Sequence, residues 1–203
     1  WPSPETAHTV AVVHLRAQRL EDASTWLRRA QALVEDEDSP WAWRIQLGLA
    51  FARRDAASML GVAESTKANP RPRASARNTL SAWARWDGDL DAAVLHAREA
   101  VSLTEALGTW ALLFARLNLA LALVRTDALD EASDLVSRIT ADARFRNTAL
   151  IRTAVSLSQL ALHHARRAWE PAGHALDALE ETLTRGYAEH DLLAVLESCD
   201  TPE

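Results

Sequence analysis

The sequence has few of the residues that interrupt helices, cross-link chains or carry dense positive charge. Its 203 residues include six glycines, seven prolines, one cysteine and one lysine, whereas alanine supplies about a fifth of the chain. This composition favours helix almost throughout. Valine and isoleucine do not alternate with polar residues over the length of a strand. We therefore expect an all-α protein without a sheet.

The composition also restricts the partners of the protein and the cellular compartment in which it folds. Cys199 has no second cysteine with which to form a disulfide, which suits a reducing compartment, so we expect a cytoplasmic protein. No apolar run approaches about 18 residues, so no membrane-spanning segment is expected. The net charge is −6 with both signs interspersed, which argues against direct contact with nucleic acid. Because the chain begins at Trp1 and its only methionine is Met59, we expect either a processed protein or, in preference, a fragment of a longer one.

Motifs for catalysis and for metal binding are also missing. The glycines are too dispersed for a phosphate-binding loop, and neither H-E-x-x-H nor G-x-S-x-G occurs. The densest histidine group is His163, His164 and His174. Adjacent helical residues point about 100° apart, so His163 and His164 would not bind one ion together. We expect a protein that is not an enzyme and has no metal and no cofactor.

A four-residue pattern recurs five times: a large apolar or long side chain, two acidic or small residues, then alanine. The quartets are Leu20-Glu21-Asp22-Ala23, Arg53-Arg54-Asp55-Ala56 in a weakened form, Leu90-Asp91-Ala92-Ala93, Leu129-Asp130-Glu131-Ala132 and Trp169-Glu170-Pro171-Ala172. Their alanines are 33, 37, 39 and 40 residues apart. Such a period is typical of a repeated supersecondary unit that stacks on its neighbours.

Each quartet is expected to begin the second helix of an antiparallel pair. Apolar residues recur at helical spacing after the quartets, and acidic residues in the first turn complement the positive end of each helix. The predicted repeats cover residues 5–35, 40–68, 72–107, 109–144 and 147–186, followed by a terminal helix at 189–198. Five pairs and one more helix would make residues 1–203 a single domain.

This arrangement resembles the tetratricopeptide repeat (TPR) family. In that family a small residue early in the second helix is followed by a large apolar residue four positions later and by alanine three positions after that, as in Ala23, Leu27 and Ala30. The resemblance implies a right-handed α-α superhelix, a solenoid that binds partners. Residues 100–110 also resemble the lengthened repeats of large bacterial transcriptional regulators of the maltose-activator and LuxR type.

The first helices of such a solenoid should line its concave face, where a protein segment, a peptide or a small-molecule effector could bind. The alternative is a solvated face without a dedicated ligand. Aligning the quartets to within about one residue places guanidinium, amide, hydroxyl and aromatic side chains on this face. The candidate ligand-binding residues are Arg16, Trp41, Asn78, Arg85, Asn118, Arg125 and Ser158.

Two functional hypotheses follow. The first is a non-catalytic protein-interaction or effector-sensing domain of a bacterial transcriptional regulator, which would signal through changes in superhelical pitch. The second is a free-standing cytoplasmic scaffold that assembles a partner complex. The sequence leaves open the identity of the partner, the flanking domains and the oligomeric state.

Overall fold

A computed structural model describes residues 3–17, 19–35, 39–65, 69–105, 107, 110–142 and 149–184. These residues form ten α-helices and no strand. The helices are α1 (Pro4–Arg16), α2 (Leu20–Ala32), α3 (Pro40–Arg53), α4 (Ala56–Glu64), α5 (Pro70–Asp87), α6 (Leu90–Glu105), α7 (Trp110–Arg125), α8 (Leu129–Ala141), α9 (Ala149–Ala165) and α10 (Trp169–Thr184). The expected all-α repeat of five helical pairs is therefore confirmed. The predicted terminal helix at 189–198 lies outside the described residues.

The turn between the two helices of a pair has a recurring geometry. Arg54, Gly88, Asp127 and Arg167 have positive φ angles between 51° and 86°. Each lies two residues before a second helix, so we call these four residues the corner residues. After Arg54, Asp127 and Arg167, the next residue donates its backbone N–H to the carbonyl five residues back, at 2.8 to 2.9 Å. This is the Schellman pattern, which satisfies the last carbonyls of the first helix.

The corner residues correct the second quartet. Each corner is followed five positions later by the buried residue that begins the apolar stripe of the second helix; Ala93, Ala132 and Ala172 occupy that place. The residue five positions after Arg54 is Met59, which is 1% exposed. The quartet is therefore Ala56-Ala57-Ser58-Met59, and the predicted register of the second repeat was three residues early. Methionine fills the place of alanine because its unbranched chain adapts to irregular gaps.

The start of α5 also differs from the prediction. The helix begins at Pro70 rather than at Pro72, so both prolines lie in its first turn, where no intrahelical N–H bond is lost. The side chain of Asn69 accepts a hydrogen bond from the N–H of Arg71 at 3.0 Å and caps the helix.

The chain divides into two compact units, residues 1–80 and 81–203, with the boundary inside α5. In unit 1, small residues on α1 and α2 pack with Leu27, Ile45 and Leu49 into one buried cluster. Gly48 of α3 allows the side chain of Leu27 to lie directly against α3, because a Cβ atom at position 48 would be 2.9 Å from Cδ2 of Leu27. Unit 1 therefore depends on short side chains that leave room for Leu27 against α3.

Unit 2 has a larger and more aliphatic core. Leu113, Leu117 and Leu123 of α7 pack with Ile139 of α8 and Ile151 of α9, and all are nearly or fully buried. Side chains of this size separate the helix axes more widely than alanine does. The buried hydroxyl of Ser81 donates to the carbonyl of Ala93 at 2.8 Å and joins α5 to α6.

Candidate binding groove

Three of the predicted ligand-binding residues lie in unit 1. Arg16 is the last residue of α1, and its side chain is outside the described atoms. The ring of Trp41 is half-buried, meets the His8 ring edge to face at 5.4 Å and lies 4.7 Å from the guanidinium carbon of Arg44. Asn78 is half-buried on α5. Trp41 is thus part of a ring and guanidinium cluster at the start of α3.

The other four lie in unit 2, where the first helices α7 and α9 form an open groove of about 590 Å³. We call it the α7/α9 groove. It is lined by Val124, Arg125, Leu157, Leu160, Ala161, His164 and Ala165. Most of these side chains are aliphatic, and Arg125 and His164 supply polar groups. A concave apolar surface with a few polar groups is the usual form of a binding site.

Ser158 lies behind this groove rather than in it. It is 1% exposed, and its hydroxyl donates to the carbonyl of Ala154 at 2.9 Å. Its neighbour Leu157 is 46% exposed and lines the groove. One residue turns a helix by about 100°, which accounts for the opposite placement of the two side chains. The hydroxyl of Ser158 is therefore occupied within its own helix.

The corner residues supply the signal that would have selected Leu157. Asn78 lies ten residues before the corner Gly88, and Leu157 lies ten residues before the corner Arg167. Asn118 and Ser158 each lie nine residues before their corners, and Asn118 is half-buried. The approximate alignment of the quartets therefore placed residues from two adjacent helix positions in one set of candidate ligand-binding residues. A register fixed on the corners would also have selected His164, which matches Arg85 three residues before a corner.

Arg85 and Arg125 interact electrostatically. Arg85 is half-buried in the last turn of α5, and burial lowers the pKa of its guanidinium. The positive charge of Arg125 lowers that pKa further. Nη1 of Arg85 is buried and has no hydrogen-bond partner among the described residues. Two of the predicted residues thus influence each other through their charges, and Arg125 lines the α7/α9 groove.

An exposed aromatic side chain lies beside the other polar group of the groove. The ring of Trp169, at the start of α10, meets the ring of His164 edge to face at 5.5 Å. Trp169 is 64% exposed, although its place in the quartet predicts a packing contact at the helix entrance. Exposed tryptophan is frequent at protein interfaces because it offers a large rigid area with one polar atom.

Unit 1 has a smaller pocket of about 350 Å³ between α2, α3 and α4. Its lining includes the side chains of Gln31, Gln46, Arg53 and Asp55 beside Trp43. The Asp55 carboxylate accepts hydrogen bonds from the hydroxyl and the backbone N–H of Ser58, at 2.6 and 3.0 Å. These bonds cap α4 and lower the pKa of Asp55. The carboxylate in this pocket is therefore used by the fold itself.

In the described part of the chain, no three histidine, cysteine, aspartate or glutamate side chains are grouped closely enough to hold a metal ion. None of the described helices combines the length and hydropathy needed to cross a bilayer.

No family model and no curated protein matches this chain. Two solved structures are similar to it, both of a Podosopora anserina putative kinesin light chain with nearly identical TPR-like repeats. One of them, a variant in which a glutamine is changed to methionine, is 18% identical with a TM-score of 0.58, and the match covers 88% of this chain and 92% of that one. The other structure is 16% identical with a TM-score of 0.58, and the match covers 93% of this chain and all of that one. This likeness shows a TPR-like fold.

Proposed function

We propose that this chain is a non-catalytic protein-interaction domain that binds a segment of a partner protein in the α7/α9 groove. The observation that carries the proposal is the largely aliphatic lining of that groove, with an exposed leucine at Leu157 and polar groups at Arg125 and His164. Apolar side chains that remain exposed together gain free energy when a partner covers them. Trp169 beside His164 extends the contact area.

A pair of exposed leucines tests this proposal. Leu157 lies in the groove, whereas Leu95 lies on the second helix α6 and is 56% exposed. Purified chain carrying Leu157→Lys or Leu95→Lys is compared with the native chain for its affinity toward a stoichiometric partner isolated with it. We expect Leu157→Lys to weaken binding about tenfold or more, as at an interface hot spot. The Leu95→Lys control should retain the native affinity, and equal effects of both variants would contradict the proposal.

We further propose that the domain belongs to a cytoplasmic bacterial transcriptional regulator and reports the presence of a partner or a small-molecule effector. The resemblance of residues 100–110 to the lengthened repeats of such regulators supports this. Reading the complete gene tests it: a nucleotide-binding or helix-turn-helix module beside this segment is expected. A gene that encodes little more than this chain would favour the scaffold hypothesis instead.

Effector sensing and partner binding are separable by thermal unfolding. A ligand that binds the folded state raises the unfolding temperature to an extent set by its concentration relative to its Kd. A sensor should therefore be stabilised by a small molecule, whereas a scaffold should be stabilised by its stoichiometric protein partner alone. The predicted residues Arg16, Trp41, Asn78 and Asn118 stay candidates for contacts outside the α7/α9 groove.

A further inference from the structure

The pocket between α2, α3 and α4, which we call the unit 1 pocket, carries polar side chains that the fold does not use. Gln31 lies on α2, whereas Gln46 and Arg53 lie on α3, and all three are exposed. Among the described residues, no hydrogen bond or ion pair joins any of these three side chains to another residue. The indole N–H of Trp43 has no acceptor there either. A ligand in the pocket can therefore reach four side chains with unused hydrogen-bonding groups.

Arg53 and Asp55 add opposite charges to the unit 1 pocket. They flank the corner residue Arg54, and neither forms an ion pair with the other or with a third described residue. Hydrogen bonds from Ser58 hold the Asp55 carboxylate in place and lower its pKa, and the charge of Arg53 lowers that pKa further. The carboxylate is therefore ionised at neutral pH, and its two bonds to Ser58 leave about half of its acceptor sites open.

A pocket with two opposite charges that are not paired is matched by a ligand that carries both. A ligand that is only anionic would be attracted by Arg53 but repelled by Asp55, and the reverse holds for a ligand that is only cationic. A zwitterion has a charged partner at each end. The amides of Gln31 and Gln46 suit either end, because each offers donors and an acceptor. A residue inside a peptide chain has neither charge on its backbone, so the charges favour a free amino acid.

The rest of the lining is apolar and indicates the side chain of the ligand. Leu49, Ala50 and Val62 are nearly buried, and the ring of Trp43 is half-buried. Gly61 leaves space in this lining, because an added Cβ atom would meet nothing within 4 Å. The volume of about 350 Å³ lies at the lower end of the range for small-molecule pockets. An apolar side chain of modest size therefore completes the ligand.

We propose that the unit 1 pocket binds a free α-amino acid with an apolar side chain, its carboxylate on Arg53 and its ammonium group on Asp55. Trp43, Leu49 and Val62 contact the apolar side chain, and the two glutamine amides bind the charged end. This inference goes beyond the proposed function, because the pocket belongs to unit 1 and the α7/α9 groove belongs to unit 2. It gives the domain a small-molecule site that is separate from the partner site.

Three leucine compounds test the inference: L-leucine, N-acetyl-L-leucine without the ammonium charge, and L-leucinamide without the carboxylate charge. Each is titrated into the full chain, and binding is followed by NMR at the indole N–H of Trp43, which is assigned with Trp43→Phe. We expect L-leucine to bind with a Kd of about 1 mM or lower, in keeping with its few non-hydrogen atoms. Each analogue should bind about tenfold more weakly or worse, because it lacks one charge-assisted contact.

The analogues also stand for the two ends of a peptide. N-acetyl-L-leucine resembles a C-terminal residue, and L-leucinamide resembles an N-terminal one. If either binds as tightly as L-leucine, the pocket takes a chain end and the assignment to a free amino acid is wrong. The absence of a saturable shift at about 10 mM L-leucine would refute the inference altogether.

Two glycines show whether the unit 1 pocket is the site. Gly61 on α4 lines the pocket, whereas Gly173 lies on α10 of unit 2, and an added Cβ atom meets nothing within 4 Å at either position. Leucine favours helix over glycine, so both variants should fold, which near-ultraviolet circular dichroism checks. Gly61→Leu should fill the pocket and abolish L-leucine binding, whereas Gly173→Leu should bind as the native chain does. Equal binding by the two variants would place the site elsewhere.

Charge variants assign the two ends of the ligand. Asp55→Asn can still cap α4 and should remove the preference for L-leucine over N-acetyl-L-leucine. Arg53→Gln should remove the preference over L-leucinamide. The control Arg54→Gln lies outside the lining and should leave both preferences unchanged. Preferences that survive Asp55→Asn and Arg53→Gln would contradict the inference, and such a result leaves the test of the α7/α9 groove with Leu157→Lys unaffected.

Discussion

The two compact units pack their helical pairs with different side chains. Unit 1 brings helices close together through alanines and Gly48, which lies against Leu27. The core cluster of unit 2 is larger and contains more leucine and isoleucine. Its first helices also leave Leu157 exposed in a mostly aliphatic groove, whereas the unit 1 pocket adds amide, carboxylate and guanidinium groups to its apolar lining. A repeated helical pair can therefore keep its backbone plan while its surface becomes polar or apolar.

The largest expected effects come from truncating one core leucine in each unit. Leu27 and Leu113 are both fully buried. The alanines around Leu27 cannot move into a cavity as the longer side chains around Leu113 can. We expect both changes to alanine to cost about 2–5 kcal/mol of unfolding free energy, with Leu27→Ala near the upper end. Urea unfolding measures the loss, and hydrogen exchange assigns it to a unit.

Leu95→Ala is the matched control for both truncations, because this leucine is exposed on α6. It should change the unfolding free energy by less than about 0.5 kcal/mol. If Leu113→Ala proves the more costly of the two core changes, the difference in packing between the units is not as we describe it.

The glycines allow a sharper test of close packing in unit 1. An added Cβ at Gly48 meets Leu27, whereas one at Gly61 of α4 meets nothing within 4 Å. We expect Gly61→Ala to stabilise the protein by about 0.5–1 kcal/mol through helix propensity. Gly48→Ala should instead cost about 1–2 kcal/mol, because Leu27 is enclosed and must shift. Equal stabilisation in thermal unfolding would show that the helices are free to separate.

Removing the unsatisfied charge of unit 2 should not weaken the fold. Arg85→Met retains most of the aliphatic side chain without the guanidinium. Since Arg85 has no carboxylate partner in the described residues, we expect the unfolding free energy to stay constant or to rise by up to about 1 kcal/mol. Urea unfolding at low ionic strength measures the change. A clear loss of stability would mean that the guanidinium group contributes to the fold.

A smaller effect is expected at the polar contacts between helices of unit 2. Arg166 donates to the Asp130 carboxylate at 2.7 Å and to the carbonyl of Leu129 at 3.2 Å. Asp130 is fully exposed, so solvent screens the ion pair. We expect Arg166→Ala to cost about 0.5–1 kcal/mol, chiefly through the carbonyl contact. Asp130→Asn should reduce the unfolding free energy by less than Arg166→Ala does. A larger reduction for Asp130→Asn would show that the ion pair, rather than the carbonyl contact, provides the stability.

The smallest effect concerns acid stability in unit 1. Hydrogen bonds from Ser58 lower the pKa of Asp55 below the ordinary 3.8. A lowered folded-state pKa contributes stability that is present above the ordinary value and is lost as the pH falls through the folded value. Asp55→Asn should therefore reduce the pH dependence of unfolding below about pH 4. Acid titration of unfolding by circular dichroism checks this, and an unchanged acid limb would contradict it.

Sequence periodicity predicted the helices well because two features act locally. Proline at a helix start and short polar stretches before the second helices are visible without tertiary structure. The second repeat was predicted to begin at residue 40, and α3 begins there, at Pro40. The register of the second repeat was wrong because Met59 replaces the expected alanine. Nothing in the local sequence shows that a flexible side chain fills that gap.

The candidate site was harder to predict than the helices. A one-residue error leaves a helix boundary nearly unchanged but rotates each side chain by about 100°. Ser158 was chosen on that basis, although Leu157 lines the groove. The electrostatic interaction of Arg85 with Arg125 depends on the tertiary structure, which the charge pattern along the chain does not contain.

The corner residues have a consequence for engineering. The distance from each corner to the start of the buried stripe is constant at five residues, while successive corners are 34, 39 and 40 residues apart. Differences in repeat length therefore accumulate outside the segment from corner to stripe. Residues inserted after the second helix of a pair should be tolerated. A single residue inserted between a corner residue and the buried stripe would instead turn the apolar face of the second helix away from the core by about 100°. In engineering, the turn within each helical pair should therefore keep its length, whereas the connection to the next pair can be lengthened.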